Sequence, residues 1–66
     1  MRTFHHSLMT ALDNAQKAGA HLTPGHMAIR RALREANMRG RQFANAEELI
    51  AAVSKFYPLR RSDISA

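Results

Sequence analysis

Residues 23–38 read TPGHMAIRRALREANM, and this stretch carries the clearest helix signals in the chain. Thr23 has a hydroxyl that can cap the free amides of a helix N-terminus, and Pro24 follows at the first helical position, where its missing N–H costs nothing. Gly40 marks the end of the helix. The apolar residues that recur at helical spacing are Ile29, Ala32, Leu33 and Ala36. The stretch therefore predicts a helix at about 24–38 with one face turned towards a core.

The segment before this stretch predicts a first helix at about 4–18. Its apolar residues recur at spacings of four, four and three, at Phe4, Leu8, Leu12 and Ala15. Gly19 follows the last of them and can adopt the left-handed conformation that closes a helix. Lys17 places a positive charge in the last turn, where it complements the helix dipole. We therefore expect an amphipathic helix that packs against the central one.

The segment after the stretch predicts a third helix at about 46–57. Asn45 and Glu48 have the spacing of a capping box, in which side chains satisfy the backbone amides at a helix start. The apolar residues that follow have the pattern of a core-facing surface, at Leu49, Ile50, Val53, Phe56 and Tyr57. Pro58 prevents the helix from continuing.

The three helices predict an all-α fold, a small three-helix domain that spans residues 1–58. Residues 59–66 have no helical pattern, and we expect a C-terminal tail there, anchored by Leu59 or Ile64. A chain of 66 residues buries only about 60% of the surface of its unfolded form, and this one has no cysteine for a disulfide. We therefore expect support from a partner, and a homodimer is its simplest form.

Positive charge is concentrated in and after the central helix. The chain has ten basic and five acidic residues, a formal net charge of +5 at pH 7. Between positions 30 and 41 it has a single acid, Glu35, and five arginines: Arg30, Arg31, Arg34, Arg39 and Arg41. Arginine combines charge with planar, bidentate contacts to phosphate or carboxylate. This segment therefore predicts a binding surface for an anionic partner.

The outward face of the central helix has a second stripe, which runs opposite its apolar face. The candidate contact residues are Met27, Arg31, Arg34 and Met38 in the stripe, Arg30, Asn37 and His26 beside it, and Arg39 and Arg41 in the loop that follows. One interpretation is a contact surface, in which arginines bind phosphate or carboxylate groups and methionines supply adaptable apolar contacts. The other is a solvated face, with Met27 packed on Leu22 and Met38 packed under Phe43.

Two functions are compatible with a contact surface. The first is a small, basic, non-catalytic regulatory protein that binds nucleic acid through its second helix and the following loop. The first two helices have a loose likeness to a helix-turn-helix motif, but the first turn of the second helix, at 24–26, offers few base-reading groups. The alternative is an inhibitor or adaptor, of the type encoded by phages and mobile elements, that docks on an acidic surface of a larger protein.

Other function classes are disfavoured by the sequence. We expect no enzyme, because the chain has no glycine-rich phosphate loop and because Ser7, His5 and Asp13 do not form a catalytic arrangement. The histidines form no i, i+4 pair beside a carboxylate or thiolate, so we expect no metal or other cofactor. No apolar run reaches the ~20 residues of a membrane span or has the form of a signal peptide. We expect a cytoplasmic protein with neither a membrane partner nor a small-molecule substrate.

Overall fold

The computed structural model of the chain describes residues 3–64. Its helices are α1 (Phe4–Lys17), α2 (Pro24–Met38), α3 (Ala46–Val53) and the short α4 (Arg61–Ile64). Residues 3–64 contain no strand, which confirms the predicted all-α class. Within that same range, no helix has both the length and the apolar character that a membrane crossing requires. The fourth helix has no counterpart in the predicted three, and the homodimer stays a prediction.

Side-chain caps start the three long helices. The hydroxyl of Thr23 accepts a hydrogen bond from the His26 N–H at 3.1 Å, and the Asn45 side chain accepts one from the Glu48 N–H at 3.0 Å. Thr3 caps α1 in the same way. These bonds satisfy amides that have no partner inside the helix. The caps at Thr23 and Asn45 confirm the helix starts that their sequence pattern predicts.

α1 and α2 end at glycines in the left-handed conformation. The φ angle is 85° at Gly19 and 68° at Gly40, values that only glycine adopts without strain. In α2 the Arg41 N–H then donates to the Ala36 carbonyl at 2.8 Å, and α1 makes the equivalent bond at 3.0 Å. This pattern is the Schellman motif. These hydrogen bonds therefore fix the direction in which the chain leaves α2.

α2 is the central helix, and it packs against α1, α3 and α4. The buried residues that it contributes are Gly25, Ala28, Ile29, Ala32 and Leu33. The other buried apolar residues are Leu12 of α1, Leu49 and Val53 of α3, and Leu59. The predicted inward face of α2 is confirmed at Ile29, Ala32 and Leu33, whereas Ala36 is only half-buried.

α3 ends four residues before its predicted end at 57. Ser54 caps it, and in the turn that follows the Tyr57 N–H donates to the Val53 carbonyl at 2.8 Å. Pro58 disfavours helical backbone at Tyr57, and residues 54–56 form a turn instead of continuing the helix. Phe56 consequently leaves the apolar face and is 49% exposed, so its predicted core position is wrong.

The predicted tail contains α4 and packs on the core as far as the structure describes it. Leu59 is buried and Ile64 packs against the core, which are the two predicted anchors. A four-residue helix is too short to produce an apolar period, so the sequence pattern does not reveal it. Residues 65 and 66 lie outside the described part of the chain.

Contacts between charged groups and the neighbouring helices hold α4 in place. The Asp63 carboxylate accepts a hydrogen bond from the Arg60 N–H at 2.9 Å and so caps the start of α4. It also lies against Gly25 of α2, where a Cβ atom would be only 3.0 Å from the carboxyl carbon. The Arg61 guanidinium binds the Glu47 carboxylate of α3 at 2.8 Å. The absence of a side chain at Gly25 thus allows α4 to cover the first turn of α2.

Candidate binding surface on the central helix

The outward stripe of α2 lies on the surface as predicted from its spacing. We call Met27, Arg31, Arg34 and Met38 the α2 outer face. Met27 is 52% and Met38 82% exposed, so Met38 does not pack under Phe43 as the solvated-face interpretation requires. These residues, with Arg30 and Glu35, line a shallow groove of about 260 Å³. The face therefore combines apolar side chains with guanidinium groups in one groove.

The arginines of the segment differ in what they contact. Arg30 binds the Asp13 carboxylate of α1 at 3.0 Å, and only 21% of its side chain is exposed. Arg31 pairs with Glu35, one turn further along α2, at 3.3 Å. The arginines of this segment without an ion pair among residues 3–64 are Arg34, Arg39 and Arg41. Arg30 therefore joins two helices, whereas these three leave their charge available to a partner.

Phe56 extends the apolar part of this surface from α2 to the end of α3. The guanidinium carbon of Arg31 lies 5.3 Å from the centre of the Phe56 ring, within the range of a cation–π interaction. The spacing of seven from Leu49 places Phe56 in the predicted core, but α3 stops at Val53 and the helical phase ends with it. Its place on this surface therefore depends on a helix end whose position the apolar period does not give.

A second concave feature, the α2–α3 cleft, lies beside the α2 outer face and has a volume of about 440 Å³. Its small residues are Ala32, Ala36 and Ala52, and its aromatic residues are Phe43 and Phe56. Its polar lining consists of Glu35, Arg39, Arg41, Gln42, Glu48 and Lys55. Arg39 and Arg41 flank the left-handed Gly40, so the Schellman motif places both residues at this cleft. The cleft is thus an apolar depression with charged edges.

His5 contacts Phe43, one of the two aromatic residues that line the α2–α3 cleft. Its side chain is buried, its Nδ1 atom accepts a hydrogen bond from the Phe43 N–H at 3.0 Å, and the two rings stack with centroids 5.8 Å apart. No metal or catalytic pattern in the sequence points to this role. A usable signal was the helical spacing of four from His5 to Met9 and of seven to Leu12, which puts the imidazole on the inner face of α1.

His26 and Asn37 lie away from both depressions. His26 is half-buried in the first turn of α2, and its Nδ1 atom is buried without a hydrogen-bond partner in the described part of the protein. The Asn37 amide donates to the Met9 sulfur of α1 at 3.2 Å. Of the nine predicted contact residues, the groove takes Met27, Arg30, Arg31, Arg34 and Met38, and the cleft takes Arg39 and Arg41.

The α2 outer face and the α2–α3 cleft form one continuous surface, because Glu35 lines both and Arg31 lies over Phe56. Lys55 adds a fourth cation with no ion pair among residues 3–64. Of the two acids on the surface, Glu35 is paired with Arg31. The surface therefore has apolar patches and a surplus of positive charge.

No protein-family model, curated protein or solved structure matches the chain, so its function is inferred from this surface.

Proposed function

We propose that the protein is a non-catalytic, cytoplasmic binding module that docks on an acidic surface of a larger protein. The observation that carries this proposal is the exposure of Met27, Met38 and Phe56 beside arginines. These are the large apolar residues that are exposed in the described chain, and all of them lie at the groove or the cleft. Single exposed apolar residues are ordinary, but a group of them on one face is typical of an interaction surface.

The chemistry of this face suits a protein partner. Protein interfaces take most of their binding free energy from a few desolvated anchors, among which aromatic residues and arginine are enriched. Arg31 is already restrained by Glu35 and by the Phe56 ring, so less side-chain entropy is lost when it binds. The unpaired cations favour association with an acidic surface over a basic one. The methionines and the arginines are therefore expected to contribute together.

Nucleic-acid binding is a second candidate, supported by the three arginines that have no ion pair in the described residues. Three phosphate contacts from Arg34, Arg39 and Arg41 would give a slope of about −2.7 in log K against log salt. The first turn of α2, which reads bases in a helix-turn-helix protein, is instead covered by the Asp63 carboxylate at Gly25. Because Asp63 occupies this turn, base readout there is disfavoured, and this candidate is limited to backbone phosphate contacts made elsewhere, by Arg34, Arg39 and Arg41.

Site-specific photo-crosslinking tests the proposal directly. A photoreactive amino acid at position 38 is expected to capture a discrete protein, whereas the same group at Gln16, an exposed position on α1, is expected to capture none. The captured protein is then purified, and its dissociation constant is measured with the wild-type chain and with the double variant Met27→Ser and Met38→Ser. Loss of two anchors is expected to weaken binding by about 100-fold. Unchanged affinity in the double variant would contradict the proposal.

A titration into mixed-sequence duplex DNA, at low and at near-physiological salt, separates the two candidates. If the protein docks on another protein, its attraction to DNA is only the non-specific attraction of a basic chain. Such binding weakens steeply with salt, so we expect it to be lost near physiological salt. Tight binding at that salt, equal in the wild type and in the methionine double variant, would establish the second candidate instead.

The predicted homodimer follows from the small core of the chain and is tested separately. Sedimentation at micromolar concentration is expected to show a dimer that persists in the double variant Met27→Ser and Met38→Ser, because the proposed function assigns those two side chains to another protein. A chain that sediments as a monomer would contradict the predicted homodimer.

A further inference from the structure

We infer that the α2–α3 cleft is an anchor pocket, which takes an aromatic or large aliphatic side chain from an acidic segment of the partner protein. A carboxylate beside that side chain binds at Arg39 or Arg41. This inference rests on the proposed function, because it names the segment of the partner that the docking surface recognises.

The shape of the cleft follows from the residues that α2 and α3 place there. Ala32, Ala36 and Ala52 have small side chains, and they leave a depression of about 440 Å³ between the two helices. That volume is within the range of about 300–1,000 Å³ found for ligand pockets. Phe43 and Phe56 form aromatic walls beside this alanine floor. An aromatic ring that entered the cleft would meet rings at its sides in the offset or edge-on arrangements that they prefer.

The charges at the cleft select the chemistry of the occupant. Three cations line it, Arg39, Arg41 and Lys55, and none of them has an ion pair among residues 3–64. Glu35 is engaged by Arg31, which leaves the Glu48 carboxylate as the opposing charge. The surplus of positive charge favours an acidic segment over a basic one.

The cleft is also preformed on the side of Phe43. His5 accepts the Phe43 N–H at 3.0 Å and stacks on its ring, so the backbone and the ring of this wall are both held from α1. A buried imidazole is costly in an apolar core, and its Nε2 atom has no hydrogen-bond partner in the described part of the chain. His5 is thus a positioning residue for the pocket wall. A preformed wall reduces the entropy that binding would otherwise lose.

Nuclear magnetic resonance with short peptides tests the pocket on the full chain. The probe is the acetylated and amidated pentapeptide Asp-Glu-Phe-Glu-Asp, compared with Asp-Glu-Ala-Glu-Asp and with the uncharged Asn-Gln-Phe-Gln-Asn. The phenylalanine peptide is expected to shift the resonances of Phe43, Ala52 and Phe56. The other two peptides are expected to bind at least roughly fivefold more weakly, because each lacks either the anchor or the carboxylates.

A pair of neighbouring alanines supplies a matched control. Ala52→Leu fills the cleft and is expected to weaken binding of the phenylalanine peptide by roughly tenfold, whereas Ala51→Leu, at an exposed position of the same helix, is expected to leave it unchanged. Circular dichroism shows whether each variant is folded. Should Ala52→Leu fail to fold, Arg41→Gln takes its place, with weaker binding expected for the acidic peptide and no change for the uncharged one.

The outcomes distinguish the pocket from the proposed function. Shifts at Phe43, Ala52 and Phe56 that are lost in the cleft variant support the pocket. Shifts confined to Met27 and Met38 would overturn the pocket and leave protein docking supported by its own face. Equal binding of the phenylalanine and alanine peptides, or no binding of either, would also overturn the pocket, while the crosslinking experiment decides the proposed function independently.

Discussion

The two sides of α2 are built from similar residues but differ in what they leave open. On the α1 side the ion pair between Arg30 and Asp13 links the two helices, and the Asn37 amide contacts the sulfur of Met9. On the α3 side the small side chains of α2 and α3 leave a cleft, and Arg31 lies over an exposed ring. An arginine on this helix is therefore a structural link on one side and part of the proposed binding surface on the other. What decides between the two is the neighbouring helix.

A substitution in the core that both sides of α2 share is expected to have the largest effect on stability. Leu33 is completely buried at the centre of α2, and Leu33→Ala is expected to cost about 2–5 kcal/mol, since it removes buried methyl groups and leaves a cavity. A domain this small has a free energy of unfolding near the low end of about 5–15 kcal/mol, so much of the variant is expected to be unfolded. Urea unfolding measures the loss. Arg34→Ala on the opposite face is the control, and an equal loss there would contradict the division of α2 into two faces.

His5 joins the two sides, because it is on α1 and holds Phe43 in the connection between α2 and α3. His5→Leu leaves the half-buried Phe43 N–H without its acceptor, and we expect a loss of about 1–3 kcal/mol in the free energy of unfolding. His5→Asn keeps an acceptor near the Nδ1 position and is expected to recover part of that loss. Thermal unfolding of both variants checks this. Equal stability of the leucine variant and the wild type would show that the bond to Phe43 contributes nothing.

Arg30 and Arg34 are one helical turn apart and provide the most direct comparison of the two sides. Arg30→Ala is expected to lower the free energy of unfolding by up to about 1 kcal/mol, since its ion pair is only partly buried and solvent screens the half-exposed Asp13. Arg34→Ala is expected to change stability by less than about 0.5 kcal/mol and to weaken partner binding instead. Parallel unfolding and binding measurements on the two variants separate these effects. A reversal of the pattern would mean that Arg34 has a structural contact and that Arg30 is the binding residue.

Substitution of Phe56 is expected to affect stability less than substitution of Leu33, His5 or Arg30. Phe56→Ser removes a ring that is half exposed and contacts Arg31, so we expect a loss of about 0.5 kcal/mol in the free energy of unfolding. The same variant is expected to weaken binding of the partner identified by crosslinking by roughly tenfold, because an exposed aromatic residue contributes more when a partner desolvates it. A large loss of stability without a change in affinity would return Phe56 to the core that its spacing predicts.

Local sequence signals account for most of the correct fold predictions. Thr23 and Asn45 act on amides three residues away, and Gly19 and Gly40 close helices through bonds to the preceding turn. Such contacts form within one segment, so residue type and spacing are enough to predict them. The end of α3 was missed because the apolar period continues through Phe56 and Tyr57, and α4 was missed because four residues are too few to show an apolar period.

The amino-acid sequence by itself determined the all-α class, the three long helices, and the stripe of methionine and arginine opposite the core. Only the tertiary structure decided that Arg30 pairs with Asp13, that Phe56 lies on the surface and that His5 binds the Phe43 N–H. The physical reason is the distance along the chain between the groups that meet. Arg30 and Asp13 are 17 residues apart and Phe43 and His5 are 38 apart, so neither contact leaves a periodic signal in either segment. The division of α2 into a structural side and a proposed binding side therefore comes from packing between helices rather than from the pattern of any one of them.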